Sequence, residues 1–314
     1  MMNIPLFDCH CDTAAHAREH GEKLRRNRMQ LDLERLSHYS PAGQVFAVCA
    51  ADDAEPVKFA DATILYFLEQ IKENSDIVKL CLNFRDILSA EKEGKIAALL
   101  SIEGAEQISD IDAAYRQGVR IVHMTWNHDN ALCGAAMDSG AGLTQEGKRF
   151  VMRAQQLGIM LDMSHISERG FWDTLSISTR PVIAGHSNAK AVCNVTRNLT
   201  DAQFTALVKQ GGGAGINLYP EFLGLGRDID AVFAHIEHFI SLGGEKSVFL
   251  GCDLDGIEQM PKGISGVQDL GRIYEALLRH NYPERLARDI FRNNILRVMR
   301  RCCEHSDLRQ EQML

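Results

Sequence analysis

The chain has 314 residues, 45% hydrophobic and 24% charged, with a formal net charge of −8. That length allows one large core, and a pI near 5.8 leaves no broad basic surface of the kind that nucleic-acid backbones or anionic lipid demand, so neither partner is expected. Nine cysteines, an odd number with Cys302 and Cys303 adjacent, fit buried thiols in a reducing cytoplasm better than a disulfide framework. The opening MMNIPLFD reads as the start of a strand rather than a secretory leader, and the polar C-terminus HSDLRQEQML carries no anchor signal, so a cytoplasmic protein is expected.

Short β-type runs alternate with amphipathic stretches from one end to the other. The predicted strands are Leu6–Cys9, Val45–Ala50, Ile96–Ile102, Val119–Thr125, Ile159–Ser164, Val182–Gly185, Gly215–Leu218 and Val248–Cys252. Several are near-continuous apolar runs, as strands buried on both faces should be. Helical patterns fall at Val57–Asn74, Thr144–Leu157, Thr200–Lys209 and Ile229–Ser241, and two more, Val267–Arg279 and Pro283–Cys302, follow the last strand. Thr200 with Gln203 three residues on reads as a capping box, and Gly211–Gly213 as a helix-to-strand turn. No linker divides the chain, so residues 1–314 are expected to form a single domain. Eight strand–helix units, with no glycine-rich phosphate fingerprint after the first strand, predict an α/β fold of the (β/α)8 TIM-barrel type with additional C-terminal helices.

Barrel enzymes build their sites at the C-terminal strand ends. There the first predicted strand offers His10 and Asp12, the third Glu103, the fifth His165, the sixth His186 and the eighth Asp253. Strand alternation would put Asp8, His10 and Asp12 on one face and turn Cys9 and Cys11 toward the helices. A lone His-x-Asp pair is weak evidence, but each later unit repeats the pattern of one ligand-type residue directly after an apolar run. Five such ligands exceed the needs of one tetrahedral ion, which implies a second metal with the Glu103 carboxylate as the bridge. Two ions about 3.5–4 Å apart can hold a hydroxide and polarise a carbonyl, which suits peptide or amide hydrolysis.

Other residues read more plainly. His123 is expected to be a satisfied core histidine, and His16, His20, His38, His235, His238, His280 and His305 to be surface or packing residues. Arg25, Arg26 and Arg28 form a solvated basic run. The loop Asn127–Leu143 lies where it would cover the barrel mouth.

Asp8-Cys-His10-Cys-Asp12-Thr, Ile102-Glu103-Gly104, Asp162-Met-Ser-His165, Gly185-His186-Ser187, Arg197-Asn198 and Gly251-Cys-Asp253-Leu-Asp255-Gly together resemble the membrane (renal) dipeptidase family, peptidase family M19. The order and the steps of 21 residues from His165 to His186 and 11 to Arg197 are also similar. The resemblance implies a zinc-dependent dipeptidase that accepts L-D dipeptides and uses a metal-bridging hydroxide. One zinc would be held by His10, Asp12 and Glu103, the other by Glu103, His165 and His186. Arg197 would grip the C-terminal carboxylate of the peptide, and Asp253 would carry the proton, with Asp255 as runner-up. Tyr219 resembles a tyrosine that lines the family's pocket. The family's Thr-His pair after the fourth barrel strand is replaced here by Thr125-Trp126-Asn127-His128, so Asn127 or His128 would have to meet the substrate or its oxyanion. The resemblance also leans toward a homodimer.

Two rivals remain at this level. Cyclic amidases, deaminases and lactonases of the wider amidohydrolase group resemble His-x-His at strand one with a modified lysine as bridge, whereas this chain has His-x-Asp and Glu103. Deacylation of N-acyl amino acids would leave much the same sequence. An inactivated barrel with a binding role is the other, and the Trp126 departure is its one support.

Overall fold

The computed structural model describes residues 4–303, so His305 and the polar C-terminal tail lie outside the described residues. Among the described residues there are nine strands: β1 (Leu6–Cys11), β2 (Ala42–Cys49), β3 (Val78–Leu80), β4 (Ile96–Glu103), β5 (Val119–His123), β6 (Met160–Asp162), β7 (Ile183–Ala184), β8 (Gly213–Ile216) and β9 (Val248–Leu250). All pair in parallel, and pairing of β1 with both β2 and β9, together with β2 on β4, closes eight of them into a barrel. The eight predicted strands are these eight. The ninth, β3, escapes the pattern because it is three residues long and lies outside the ring. It pairs with Ile96–Ala98 at the start of β4, where β5, which joins only from Leu100 onward, leaves the edge open.

Alternation sorts the side chains of β4 into two sets. Ala98, Leu100 and Ile102 pack outward in one cluster with Phe59, Phe67 and Ile71 of the helix Pro56–Glu73. Ala97 and Leu99 point inward to a second cluster with Phe7, Val45, Ile121 and Phe249, which continues to Ile295, Val298, Met299 and Cys302 of the last helix. That helix, Asn294–Cys303, plugs the N-terminal end of the barrel with apolar side chains. Polar inward residues are thereby confined to the opposite mouth, where water and ligand can reach them.

The predicted helices are present at Pro56–Glu73, Gln145–Leu157, Asp201–Gln210 and Ile229–Ser241. Thr200 closes its capping box: its Oγ1 accepts the Gln203 N–H while the Gln203 side chain accepts from the Thr200 N–H. The C-terminal segments differ from expectation. Val267–Arg279 is a short 3-10 turn followed by a helix from Gly271, and Pro283–Cys302 is two helices joined by a wide turn at Asp289–Asn293.

The first strand also departs from simple alternation. Asp8 is opposite Gln44 and Cys11 opposite Phe46, so one extra residue is accommodated between them as a bulge. Phe7 and Cys9 share the inner cluster, and the extra residue after Asp8 lets His10 turn to the mouth while Cys11 packs outward as expected. Asp8 does not join the mouth: it accepts the Gln44 amide and the Cys252 N–H, each at 2.8 Å, and ties the closing seam of the barrel together.

Candidate active site at the barrel mouth

The predicted ligands converge on Glu103, the last residue of β4, which is 3% exposed. His165 Nε2 lies 3.0 Å and His186 Nε2 3.2 Å from its Oε1, while His10 Nε2 lies 3.6 Å from its Oε2. His10 Nε2 is also 3.2 Å from Asp12 Oδ2 and 3.7 Å from Asp253 Oδ1. The structure thus brings His10, Asp12, Glu103, His165, His186 and Asp253 together. Two of them hold costly backbone: among the described residues six non-glycine residues have positive φ, and His165 (67°) and Asp253 (62°) are among them. Such strain persists where the surrounding fold imposes it, commonly at functional sites.

The electrostatics follow from burial. Burial works to raise the Glu103 carboxyl, but the His10 and His165 imidazoles outweigh it and hold it well below the usual range. Burial lowers His10, and the facing Glu103 and Asp12 carboxylates reverse this and hold it well above its ordinary value. Burial and the Arg197 cation bring His165 down to about 4, and burial with His10 lowers His186 strongly. Asp253 is pushed up to about 7 by burial, aided by Asp12 and Glu103 against the pull of His10.

These residues fit divalent cations. The His165 and His186 Nε2 atoms lie 3.0 Å apart, both aimed at Glu103 Oε1, which has no hydrogen-bond partner; Asp12 Oδ1 is likewise buried and unpartnered. Nitrogen atoms sharing a tetrahedral zinc at about 2.0–2.1 Å would be roughly 3.3 Å apart, so the spacing matches a common ion better than two rings donating to each other. Asn127 supports the same arrangement. Its Oδ1 lies 2.9 Å from His165 Nδ1, which fixes the proton there and leaves the Nε2 lone pair facing Glu103.

A cavity of about 440 Å³ opens over this cluster, lined among others by Asp12, Cys49, Glu103, Trp126, Asn127, Met137, His165, Arg197, Tyr219 and Asp253. A smaller one of about 220 Å³ shares His165 and Arg197 with it. Arg197 is 5% exposed and, among the described residues, has no carboxylate partner; its Nη1 is 3.5 Å from Ser187 Oγ, and its Nε has no partner there. The loop 127–143 contributes Asn127 and Met137 to the larger wall and Ala136 and Gly140 to the smaller.

Of the remaining predicted residues, one lies away from the cavity, and the other lies on its wall already engaged. His128 is not brought to the cavity: its side chain is 66% exposed, 3.2 Å from Asp52 and 3.9 Å from Asp138. Asp255, the alternative proton carrier, is engaged by Thr13 Oγ1 and the Gln30 N–H at 2.6 Å each and the Leu31 N–H at 3.3 Å, and pins the loop over the first helix.

His123 is buried but not satisfied, because neither ring nitrogen has a hydrogen-bond partner. Its Nδ1 is 3.6 Å from Glu103 Oε1 and its Nε2 3.5 Å from Asp162 Oδ2. Asp162 itself is anchored by the Ser164 and Gly185 N–H groups, and a Cβ on Gly185 would fall 2.0 Å from its Oδ2, so glycine makes room for it. Sequence reasoning also passed over Asn217, whose Nδ2 donates to Asp253 Oδ2 at 2.8 Å, and Cys49. The available signal was parity: His123 and Asp162 share the inward phase of Ile121 and Met160.

A closed parallel barrel with imidazoles and carboxylates gathered at its C-terminal mouth defines a metal-dependent hydrolase. The membrane dipeptidases, peptidase family M19, match residues 1–313. An uncharacterized protein in the pqqA 5′ region of Klebsiella pneumoniae is 32% identical over 263 residues, covering 78% of this chain and 97% of that relative. The crystal structure of a metallo peptidase from Rhodobacter sphaeroides, liganded with a phosphinate mimic of the dipeptide L-Ala-D-Ala, superposes with a TM-score of 0.88 at 28% identity over 96% of this chain and all of that one. The structure of dipeptidase AC, a metallo peptidase of family M19, gives the same score and identity over 96% and 99% of the two chains. The chain belongs to peptidase family M19 and is a metallo-dipeptidase.

Proposed function

We propose that the chain hydrolyses dipeptides, L-D dipeptides included, at a centre of two zinc ions, one held by His10, Asp12 and Glu103 and the other by Glu103, His165 and His186. The observation that carries the substrate side of this reading is Arg197, a buried cation without a carboxylate partner, on the wall of the cavity that opens over the Glu103 cluster. An isolated buried charge is costly, and a peptide carboxylate supplies the missing partner in a geometry that suits the guanidinium fork. Zinc in this donor set supplies an electrophile for the scissile carbonyl and a nucleophile from water near neutral pH.

The chain's own groups position the substrate and move the proton. Arg197 fixes the C-terminal end of the peptide. Asp253, held by Asn217 and poised near neutrality, takes a proton from water at a carboxylate oxygen and returns it to the departing amine. Asn127, its carbonyl oxygen engaged by His165, keeps Nδ2 for the substrate, and Trp126 and Tyr219 form the wall. Tolerance for a D-residue is supported by the L-Ala-D-Ala mimic held by the Rhodobacter sphaeroides relative.

The eight described cysteines are free, which supports a reducing cytoplasmic setting; no described helix is long and apolar enough to cross a membrane. Family resemblance supports a homodimer. Elemental analysis of one sample, assayed before and after chelation on L-L and L-D dipeptides and on N-acyl amino acids, tests the reading. Near two zinc ions per chain with chelator-sensitive release of amino acids is expected. Turnover of N-acyl amino acids alone would overturn the substrate assignment, and turnover insensitive to chelation would overturn the metal centre.

A further inference from the structure

β2 and β4 run in register from Gly43 opposite Ala97 to Cys49 opposite Glu103. Cys49 therefore ends its strand beside the carboxylate on which the site converges. Its Sγ, one oxygen of Asp12 and one oxygen of Glu103 all lie within 4.8 Å of one another. It is half-buried, and among the described residues it is the one cysteine on the wall of the larger cavity. Both carboxylates face the histidine cluster, and each keeps a buried oxygen, Glu103 Oε1 and Asp12 Oδ1, without a hydrogen-bond partner. The other thiols near the mouth, Cys9, Cys11 and Cys252, are packed in the apolar clusters, and Cys252 meets Asp8 of the seam rather than the carboxylates of the site.

We propose that Cys49 is a sulfur ligand which, with Asp12 and Glu103, biases the cavity side of the metal centre toward thiophilic ions. The inference rests on the assignment of His10, Asp12 and Glu103 to a metal. Sulfur at about 2.3 Å and oxygen at about 2.0 Å from a shared tetrahedral ion stand roughly 3.5 Å apart, so groups already within 4.8 Å need close by at most about 1.3 Å. On binding, the S–H bond breaks, the sulfur pair is donated to the cation and the proton leaves to water. A soft thiolate added to one imidazole nitrogen and two carboxylates favours zinc, cobalt and cadmium over manganese and magnesium.

The test is reconstitution of the metal-free full chain with cobalt(II), for the parent and for Cys49→Ser. The parent should show the visible bands of bound cobalt together with a thiolate-to-cobalt charge-transfer band in the near ultraviolet. Cys49→Ser should keep the visible bands and the metal stoichiometry, lose the charge-transfer band, and show a cadmium-over-manganese preference reduced by about tenfold or more. Iodoacetamide labelling read by peptide mass mapping gives a second readout on the parent alone: Cys49 should label in the metal-free protein and be protected by zinc. Visible bands without a charge-transfer band in the parent, the same band in Cys49→Ser, or labelling indifferent to zinc would each overturn the proposal. A parent that retains no cobalt, recognised by the absence of the visible bands, would overturn the metal assignment and this inference with it.

Discussion

Replacing Arg197 by methionine removes the guanidinium while keeping a side chain of similar reach. Hydrogen bonds to a charged partner are each worth about 1.5–3 kcal/mol, and a bidentate pair with a substrate carboxylate at a residue only 5% exposed should cost about 3–4 kcal/mol on truncation. At about 1.4 kcal/mol per factor of ten, kcat/KM for a dipeptide should fall roughly 100- to 1,000-fold. Stability should not fall with it, because the substrate-free protein buries this cation without a carboxylate partner and the variant is relieved of that desolvation. The assay is kcat/KM for a dipeptide and for its C-terminal amide, with metal content and thermal midpoint measured alongside. The parent should favour the free acid strongly, and Arg197→Met should treat acid and amide nearly alike with its metal intact. A variant that keeps the parent's preference, or one whose activity falls only as its metal does, would refute the assignment.

Asn127→Ala frees His165 Nδ1 from its acceptor, and metal affinity, followed by competition with a chromophoric chelator, should weaken about 10- to 100-fold; unchanged affinity would exclude a positioning role. Asp253→Asn suits the left-handed backbone and should preserve the metal while lowering kcat about 10²- to 10⁴-fold, so near-parent turnover would move the proton transfer elsewhere. His235 is buried with Nδ1 accepting the Ala189 N–H and Nε2 bonded to the Leu223 carbonyl, and burial brings it down to about 4. Because the unfolded chain then binds the proton more tightly, this stabilisation is complete above about pH 6.5 and is lost as pH falls toward 4, by roughly 3 kcal/mol at most. Urea unfolding at pH 7 and pH 5 should show a larger loss for the parent than for His235→Gln, and equal losses would contradict the assignment.

Much of the fold was legible because its causes are local. Eight apolar runs had to be strands buried on both faces, Thr200 and Gln203 had to cap a helix, and ligand-type residues after those runs had to gather at one end of any closed parallel barrel. Where local patterns ran out, the reading did too. The three residues of β3 carry too little periodicity to be seen, and the bulge that separates His10 from the phase of Asp8 depends on how β1 is paired, not on its composition. Asn127 and His128 are adjacent and equally plausible on paper; the path of the loop after β5 aims one at His165 and leaves the other in water beside Asp52.

The sequence by itself determined which chemical groups stand at the strand ends, since period and polarity are properties of neighbours along the chain. Tertiary structure decided which of them meet. Cys49, Glu103 and His123 lie in one row because β2, β4 and β5 pair in a particular register, and slipping any strand by one residue would turn its side chain out of the barrel.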